Sequence, residues 1–265
     1  MYSLLILTVF PFGPAQSSIY CSLKSKQMKT FKFLTLSLMA VCLSAMSFAQ
    51  TAEEILAKHV EAIGGEANWK KVNTIRQEAT LSVQGMDLNV VIIGIQNKGV
   101  RQEFNVMGMN NYTIITPAGG WSFMPVQGQT KPEPMTEEQL KYGKDQLDIQ
   151  GEVVDYKTKG HKIEKLDNEE VDGVSCFKIK MTRKNGNEIV YFIDPKSYYC
   201  IRTTSKVVAN GQEVESVVNM SNFQKLPEGI TIAFTIENSG VPAPINVNKV
   251  VVNGPVDESL FKVQQ

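Results

Sequence analysis

The side chains that most often do chemistry in proteins are few in this sequence. Histidine occurs twice, as His59 in a helical, apolar pattern and as His161 in a Lys-Gly-His-Lys turn. The first setting favours a packed or half-exposed imidazole rather than a ligand, and the second favours a solvated one. The densest carboxylate group, Glu169, Glu170 and Asp172, flanks a hairpin-type turn and is typical of a solvated rim. Carboxylates acting on a glycosidic bond would need a fixed separation and one raised pKa. These residues therefore predict no catalytic site.

Motifs of catalytic, metal and cofactor sites are also missing from the sequence. It contains no HExxH pair, no cysteine–histidine cluster with zinc spacing and no GxSxG elbow. It has neither a phosphate-binding glycine loop nor GxGxxG after a strand. The sequence indicates a binding protein without metal or cofactor, not an enzyme. A hydrolase site assembled from distant residues stays open as an alternative.

The N-terminal part of the sequence has the pattern of a secretory signal peptide. A basic start, Met28–Lys32, precedes an apolar run from Phe33 to Met46, and small residues precede a cut after Ala49. The run is shorter than the roughly 20 apolar residues of a membrane-spanning helix. Residues 1–49 are therefore predicted to be a leader, with Met28 the natural start, that directs export to a bacterial periplasm. We interpret Cys42 as part of this leader, because no small residue of the lipidation type precedes it.

Removal of the leader changes the charge balance. Residues 1–49 hold four lysines and no acidic residue, so the 27 basic side chains fall to 23, against 27 acidic ones. This net charge of about −4 argues against nucleic-acid or anionic-membrane partners, which need a basic surface. Residues 50–265 contain no linker and are predicted to form a single domain.

Two cysteines, Cys176 and Cys200, remain after the leader is removed. The predicted strands place a third strand between them, which separates them by about two inter-strand spacings of about 4.8 Å. A disulfide needs Cα atoms within about 7 Å. We therefore expect two packed, free thiols.

Two helices position the predicted core. Thr51 and Glu54 form a capping box, followed by apolar residues at helical spacing until Gly64 and Gly65. Thr136 caps a second helix that is predicted to run through Gln146.

The rest of the sequence alternates with period two between turn residues, which is typical of antiparallel sheet. About a dozen strands are predicted. They cover residues 75–83, 88–95, 100–107, 112–116, 121–124, 163–170, 174–182, 188–193, 199–208, 213–223, 230–236 and 246–252. The fold class is mainly β (α+β), with one large sheet that must close on itself or leave part of an apolar face for a guest.

The order of these features resembles the periplasmic outer-membrane lipoprotein carriers and sorting proteins of the LolA/LolB type. The resemblance is carried by the segments 112–125 (YTIITPAGGWSFMP), 256–263 (VDESLFKV) and 61–69 (EAIGGEANW). It implies a single antiparallel sheet curved into an incomplete barrel round a hydrophobic cavity, with helices as a lid and a terminal Phe-x-hydrophobic strand. It also implies an arginine that ties down the lid, and Lys98 or Arg101 stands in the matching stretch.

The candidate ligand-binding residues are apolar positions of the first strands together with this arginine. They are Leu81, Val83, Val90, Ile92, Arg101, Phe104, Val106, Trp121 and Phe123. The function that the resemblance implies is a monomeric periplasmic carrier for a lipid or a lipoprotein acyl chain, with handover proteins at the inner or outer membrane. An envelope structural or interaction protein with a filled interior is the alternative, and a hydrolase of envelope polymers is a weaker one.

Overall fold

The structure is a computed structural model that describes residues 50–83, 85–209 and 212–263. The predicted leader, residues 1–49, lies outside the described residues. None of the helices in the described part has both the length and the apolar character that a membrane crossing requires.

In the described part of the chain, three short α-helices accompany the sheet: α1 (Ala52–Ala62), α2 (Glu66–Trp69) and α3 (Glu137–Gly143). Thr51 caps α1 in the predicted capping box, with Glu54 returning a hydrogen bond to the Thr51 backbone. Thr136 and Gln139 form the same arrangement at α3. Each box satisfies backbone N–H groups that have no partner inside the helix.

Thirteen strands of the described residues form one antiparallel sheet, against about a dozen predicted. They are β1 (Thr74–Val83), β2 (Met86–Ile95), β3 (Gly99–Val106), β4 (Met109–Thr116), β5 (Gly119–Phe123), β6 (Glu133–Pro134), β7 (Lys162–Val171), β8 (Val174–Thr182), β9 (Glu188–Ile193), β10 (Cys200–Ala209), β11 (Gln212–Lys225), β12 (Thr231–Asn238) and β13 (Ile245–Val252). Their order is β6-β5-β4-β3-β2-β1-β13-β12-β11-β10-β9-β8-β7, so among the described residues β6 and β7 are edges and the sheet does not close. The predicted fold class is confirmed.

The two faces of the sheet are covered by different parts of the chain. The inner face, as we call it, carries α1, α2 and the middle segment, residues 135–160. Its largest buried cluster joins Ile55 and Leu56 of α1 and Trp69 of α2 to Ile179 and Ile193 of the sheet. Full burial of an Ile or Leu side chain stabilises a fold by about 1.5–3 kcal/mol. This cluster therefore anchors the N-terminal helices to strands far away in sequence.

The second helix ends three residues before its predicted end. Gly143 is its last residue, and the chain continues as a 3-10 turn, Lys144–Leu147. The reason is close packing, since a Cβ on Gly143 would lie 2.9 Å from Cδ1 of Ile115. Packing against β4 therefore decides the end of this helix, and helix propensity does not.

Two further departures concern the Pro-rich crossing and the C-terminus. The strand absent from the sequence analysis is β6, two residues long, which pairs Pro134 with Trp121 at a sheet edge where a missing N–H is tolerated. The expected terminal strand is wrong. Glu258–Phe261 form a 3-10 turn instead, because the Asp257 carboxylate accepts a hydrogen bond from the backbone of Ser259 and caps it.

Both cysteines are free and buried, as predicted. Cys176 lies on β8 and Cys200 on β10, with β9 between them. Burial raises the pKa of Cys200 to about 12. Both thiols therefore behave as small apolar groups.

Candidate functional site

The inner face is apolar well beyond the area that the helices cover. Residues paired across an antiparallel sheet point to the same face. The pairs Leu81–Leu88, Leu81–Ile245 and Val90–Phe104 therefore lie with Ile92, which packs beside Leu147 of the middle segment. Following this register identifies a set of half-buried or exposed apolar side chains, which we call the apolar floor. It consists of Leu81, Val83, Leu88, Val90, Phe104, Val106, Met109, Val207, Val214, Val218, Phe234, Ile236 and Ile245.

The sheet curls so that strands β3 and β4 face strand β10 across the floor. Gln102 of β3, Thr113 of β4 and Val207 of β10 line one cavity of about 280 Å³. In the sheet order β4 and β10 are seven strands apart. A flat sheet would separate them by about 34 Å at about 4.8 Å per strand. The inner face is therefore a hollow.

The middle segment bridges the two sides of this hollow, from β2 and β3 on one side to β11 on the other. On one side Gln102 of β3 donates a hydrogen bond to Gln146 over 2.8 Å, and Gly94 of β2 leaves only 2.7 Å between an added Cβ and Cγ2 of Ile149. On the other side the Tyr142 hydroxyl donates to Glu213 of β11. The middle segment thus covers part of the apolar floor and leaves the rest of it uncovered.

A buried ion cluster fastens the middle segment to β8 and β9. The Arg183 guanidinium donates to Glu152, with Nη2 at 2.9 Å from Oε1, and Nη1 lies 3.3 Å from Asp145 Oδ2. The Tyr191 hydroxyl donates to the same Glu152 carboxylate. Burial raises the pKa of Tyr191, and the adjacent carboxylate adds to that rise. For Arg183, burial favours the neutral form, but the hydrogen bond to Glu152 and the charges of Glu152 and Asp145 together outweigh burial, and the pKa rises.

A cavity of about 440 Å³ lies between this cluster and the sheet. Its lining combines Glu152, Arg183 and Tyr191 with the Thr203 and Ser205 hydroxyls of β10 and with Val207 and Val218 of the floor. The hollow therefore has a polar wall on the β9–β10 side and an apolar surface elsewhere.

The nine residues predicted to bind ligand divide between the two faces. Leu81, Val83, Val90, Phe104 and Val106 belong to the floor, and Ile92 lies beside it under the middle segment. Arg101, Trp121 and Phe123 lie on the outer face, because Arg101 and Trp121 pair with Ile114, and Phe123 pairs with Tyr112. The sequence pattern placed all nine together, and the register separates three of them.

The three outer residues pack beneath the C-terminal segment. Trp121 and Phe123 contact a cluster that contains Phe261, and the Arg101 guanidinium lies 4.1 Å from the Tyr112 ring centre. Arg101 donates to Glu103 over 2.8 Å and to the Leu260 carbonyl over 3.1 Å. Lys98 pairs with Glu258 over 3.0 Å. Both basic residues that were considered for a lid bond thus hold the C-terminal segment in this structure.

The part of the floor that comes from the second half of the sheet was not among the predicted ligand-binding residues. Phe234 and Ile236 lie in a predicted strand but were not assigned to a face, and Ile245 lies one residue before the start predicted for the last strand. Their alternation with Thr235 and Asn246 was a usable signal. It needed the β12–β13–β1 register, which joins Ile236 to Ile245 and Ile245 to Leu81.

The chemically capable residues lie apart from one another. His59 is buried and its Nδ1–H donates to the Tyr198 carbonyl over 2.7 Å, and burial lowers its pKa. His161 is half-buried at the β7 end. Glu169 pairs with Lys178 on β8. Among the described residues no three His, Cys, Asp or Glu side chains are grouped so that they could hold a metal ion. The hollow is suited to binding an apolar group.

Comparison with known proteins supports the fold. No protein-family model and no curated protein matches the chain. Among solved structures, a LolA superfamily protein from Nitrosomonas europaea matches with a TM-score of 0.50 at 13% identity, over 81% of this chain and 99% of that one. The chain therefore has a LolA-like fold.

Two other structures match less closely. A domain from Vibrio parahaemolyticus named for outer membrane lipoprotein sorting matches with a TM-score of 0.48 at 13% identity, over 79% of this chain and 97% of that one. A DUF1329 family protein from Desulfovibrio piger matches with a TM-score of 0.45 at 13% identity, over 81% of this chain and 98% of that one.

Proposed function

We propose that this chain, with its LolA-like fold, is a periplasmic carrier that holds an acyl chain of a lipid or a lipoprotein in the hollow. The observation that supports this proposal is the apolar floor, a set of large side chains on a concave face that stays partly exposed. A carrier of this kind needs apolar area and an open path, and it needs no reacting group. A monomer would collect its cargo from one membrane-bound handover protein and release it to another.

The energetics of such a carrier are favourable. Burying one methylene of an acyl chain gains about 0.8 kcal/mol, so ten methylenes gain about 8 kcal/mol. Contiguous apolar patches on monomers normally mark contact sites. An acyl chain lying on the floor would cover such a patch. The hollow therefore supports reversible binding driven by buried apolar area.

A signal peptide in residues 1–49 is the part of this proposal that accounts for a periplasmic location. Residues 1–49 lie outside the described residues, and we propose that they are a signal peptide removed on export. The described residues start at Gln50, and Thr51 caps α1. A cut after Ala49 would leave the cap intact.

Native mass spectrometry of residues 50–265 tests the carrier function. We expect a monomer with a releasable mass of lipid size after gentle desolvation, and binding of a fluorescent fatty acid by the delipidated protein. A protein that carries no lipid and binds no acyl probe would contradict the carrier function and favour the structural alternative with a filled interior.

Substitutions on one strand sharpen the test. Leu81 lies on the floor and its neighbour Thr80 points to the outer face, where its hydroxyl accepts a hydrogen bond from Asn248. We expect Leu81→Arg to weaken binding of the acyl probe at least about tenfold, which corresponds to about 1.4 kcal/mol. Thr80→Arg is the matched control and should leave probe affinity within about twofold. Equal losses in the two variants, at equal thermal stability, would argue against the floor as the binding surface.

A further inference from the structure

The first residue of the predicted mature chain, Gln50, has its side-chain amide held by one tyrosine. Its Nε2 donates to the Tyr198 hydroxyl over 3.1 Å, and its Oε1 lies 3.5 Å from the same hydroxyl oxygen. Tyr198 lies in the turn between β9 and β10, 148 residues further along the chain. Both polar atoms of the Gln50 amide therefore face one hydroxyl group from a distant part of the fold.

Tyr198 is fixed in an unusual conformation. Its φ is 57°, in the left-handed region that bulky side chains rarely adopt. Its carbonyl accepts the hydrogen bond from His59 Nδ1 over 2.7 Å, and its ring stacks on Phe177 with 6.1 Å between ring centres. A residue that its surroundings keep in a strained conformation is a candidate for a function. These contacts place the hydroxyl beside the residue that precedes the α1 cap.

The hydrogen bonds of the Tyr198 hydroxyl leave its own hydrogen for Gln50. Lys58 Nζ donates to the hydroxyl over 3.2 Å and Gln50 Nε2 over 3.1 Å, so both lone pairs of the oxygen are used. The acceptor that remains for its hydrogen is Gln50 Oε1. The hydrogen bonds from Gln50 and Lys58 lower the pKa of Tyr198, which makes the hydroxyl a stronger donor. The hydroxyl is thus suited to polarise the side-chain carbonyl of Gln50.

A glutamine at a free N-terminus can close a ring on itself. The neutral α-amine attacks Cδ of the side-chain amide, the bond between Cδ and Nε2 breaks, and ammonia leaves. The proton that the α-nitrogen loses balances the one that Nε2 gains, so the reaction needs no other reactant. The product, pyroglutamate, is a five-membered lactam without a terminal charge. While Ala49 is attached, the nitrogen of Gln50 is an amide and cannot attack.

We propose that Gln50 is a modification site, at which the mature chain converts its own N-terminus to pyroglutamate with the help of the Tyr198 hydroxyl. The hydroxyl donates to Oε1 while negative charge develops there, as oxyanion donors do in acyl transfer. The 3.5 Å separation shortens at that stage, since such bonds often tighten only in the transition state. The reaction also removes a positive charge from the N-terminal end of α1, where the helix dipole disfavours cations. This inference goes beyond carrier function, and it rests on the proposed cut after Ala49.

The test uses residues 50–265 released from an N-terminal tag by a protease that cuts directly before Gln50. Intact mass then follows ring closure as a loss of about 17 Da. We expect the folded protein to cyclise at least about tenfold faster than the same protein unfolded in guanidinium chloride, because a positioned proton donor typically contributes at least that factor. The rate should rise with pH up to about 8, as the α-amine loses its proton. This comparison uses the wild-type chain, so it does not depend on the folding of a variant.

Two substitutions in the same turn localise the effect. Tyr198→Phe removes the hydroxyl and keeps the ring, and cyclisation should slow at least about tenfold. Tyr199→Phe is the matched control, because it removes the hydroxyl of the neighbouring tyrosine, whose ring stacks on Phe223 with 4.4 Å between ring centres. It should cyclise at the wild-type rate. Thermal unfolding of both variants establishes that folded proteins are compared.

The outcomes separate this inference from the proposed function. A folded wild type that keeps its full mass, or that cyclises no faster than the unfolded chain, would overturn the inference. A wild-type rate in folded Tyr198→Phe would overturn it as well. These results leave the cut and the carrier function standing, because neither depends on ring closure. Retention of residues 28–49 by the exported protein would overturn both the cut and the modification.

Discussion

At the scale of single residues, burial has converted reactive groups into structural ones. His59 lies inside the α1 cluster as a neutral imidazole with one hydrogen bond, and Cys176 and Cys200 are packed thiols. Both outcomes were predictable from the sequence, because an apolar helical neighbourhood and strand spacing decide them. The burial of Asn187 was not predictable, since its Nδ2 donates to the Lys141 carbonyl and to Asp145, which lie more than 40 residues earlier in the chain.

His59 makes stability depend on pH in a defined direction. Burial lowers its pKa in the folded protein below the ordinary histidine value of 6.5, so below that pH the unfolded chain takes up a proton that the folded chain does not. This contribution to stability is fully present above about pH 6.5 and is lost as the pH falls, by up to about 1.4 kcal/mol per pH unit. Urea unfolding of the wild type between about pH 7.5 and 5.5 should show this loss.

His59→Gln should flatten the pH dependence of the free energy of unfolding over that range, whatever the substitution does to stability at neutral pH. His161→Gln is the matched control. Its pKa is also lowered, mainly by partial burial, but the half-buried ring should change the slope less. A slope in His59→Gln equal to that of the wild type would show that the buried imidazole is not its source.

At the scale of elements, the middle segment depends on its anchors more than on its helix. The α3 helix has only seven residues, and helices this short are marginal on their own. Its position instead follows from the Arg183–Glu152–Asp145 cluster and from the contact of Gly143 with Ile115. The sequence predicted a helix here, and the partners that hold it come from β4, β8 and β9.

Removing one member of the buried cluster should be costly. Glu152→Gln leaves Arg183 with a weaker partner, where the two side chains are 11% and 17% exposed. Breaking a buried pair typically costs about 3–5 kcal/mol, and we expect a loss near the lower end because Asp145 remains. Urea unfolding at neutral pH measures it.

Glu258→Gln provides the comparison for that experiment. It breaks the Lys98–Glu258 pair, whose side chains are 64% and 67% exposed, and should cost less than about 1 kcal/mol. Similar losses in the two variants would mean that the cluster does not hold the middle segment.

At the scale of the whole molecule, α1 and α2, the middle segment and the curled sheet together form one hollow. The middle segment and the C-terminal segment lie on opposite faces, so the apolar residues of β2 to β5 belong to two different clusters. The exposed part of the inner face is what a carrier would use. A structural protein would be expected to fill it.

Export is the prediction that belongs to the whole molecule. Expression of residues 28–265 in a bacterium should yield a periplasmic protein whose N-terminus is Gln50, read by intact mass. Ala49→Arg places a large charged residue where small residues are required and should block the cut. Ala52→Arg, just past the proposed cut, is unsuitable as a control because Ala52 is buried, so Thr51→Ser serves instead. Retention of residues 28–49 in the mature wild-type protein would contradict the leader proposal.

By itself the sequence determined the class of fold, the caps of α1 and α3, twelve of the thirteen strands and the free state of the thiols. These features depend on local periodicity, capping and strand spacing, which neighbouring residues settle. Only the tertiary structure decided which apolar residues share the hollow. In Val90-Val91-Ile92-Ile93 both faces are apolar, and Trp121 and Phe123 differ from Phe104 only by register. The outcome depended on where α1, the middle segment and Phe261 dock, and these contacts join residues far apart in the chain.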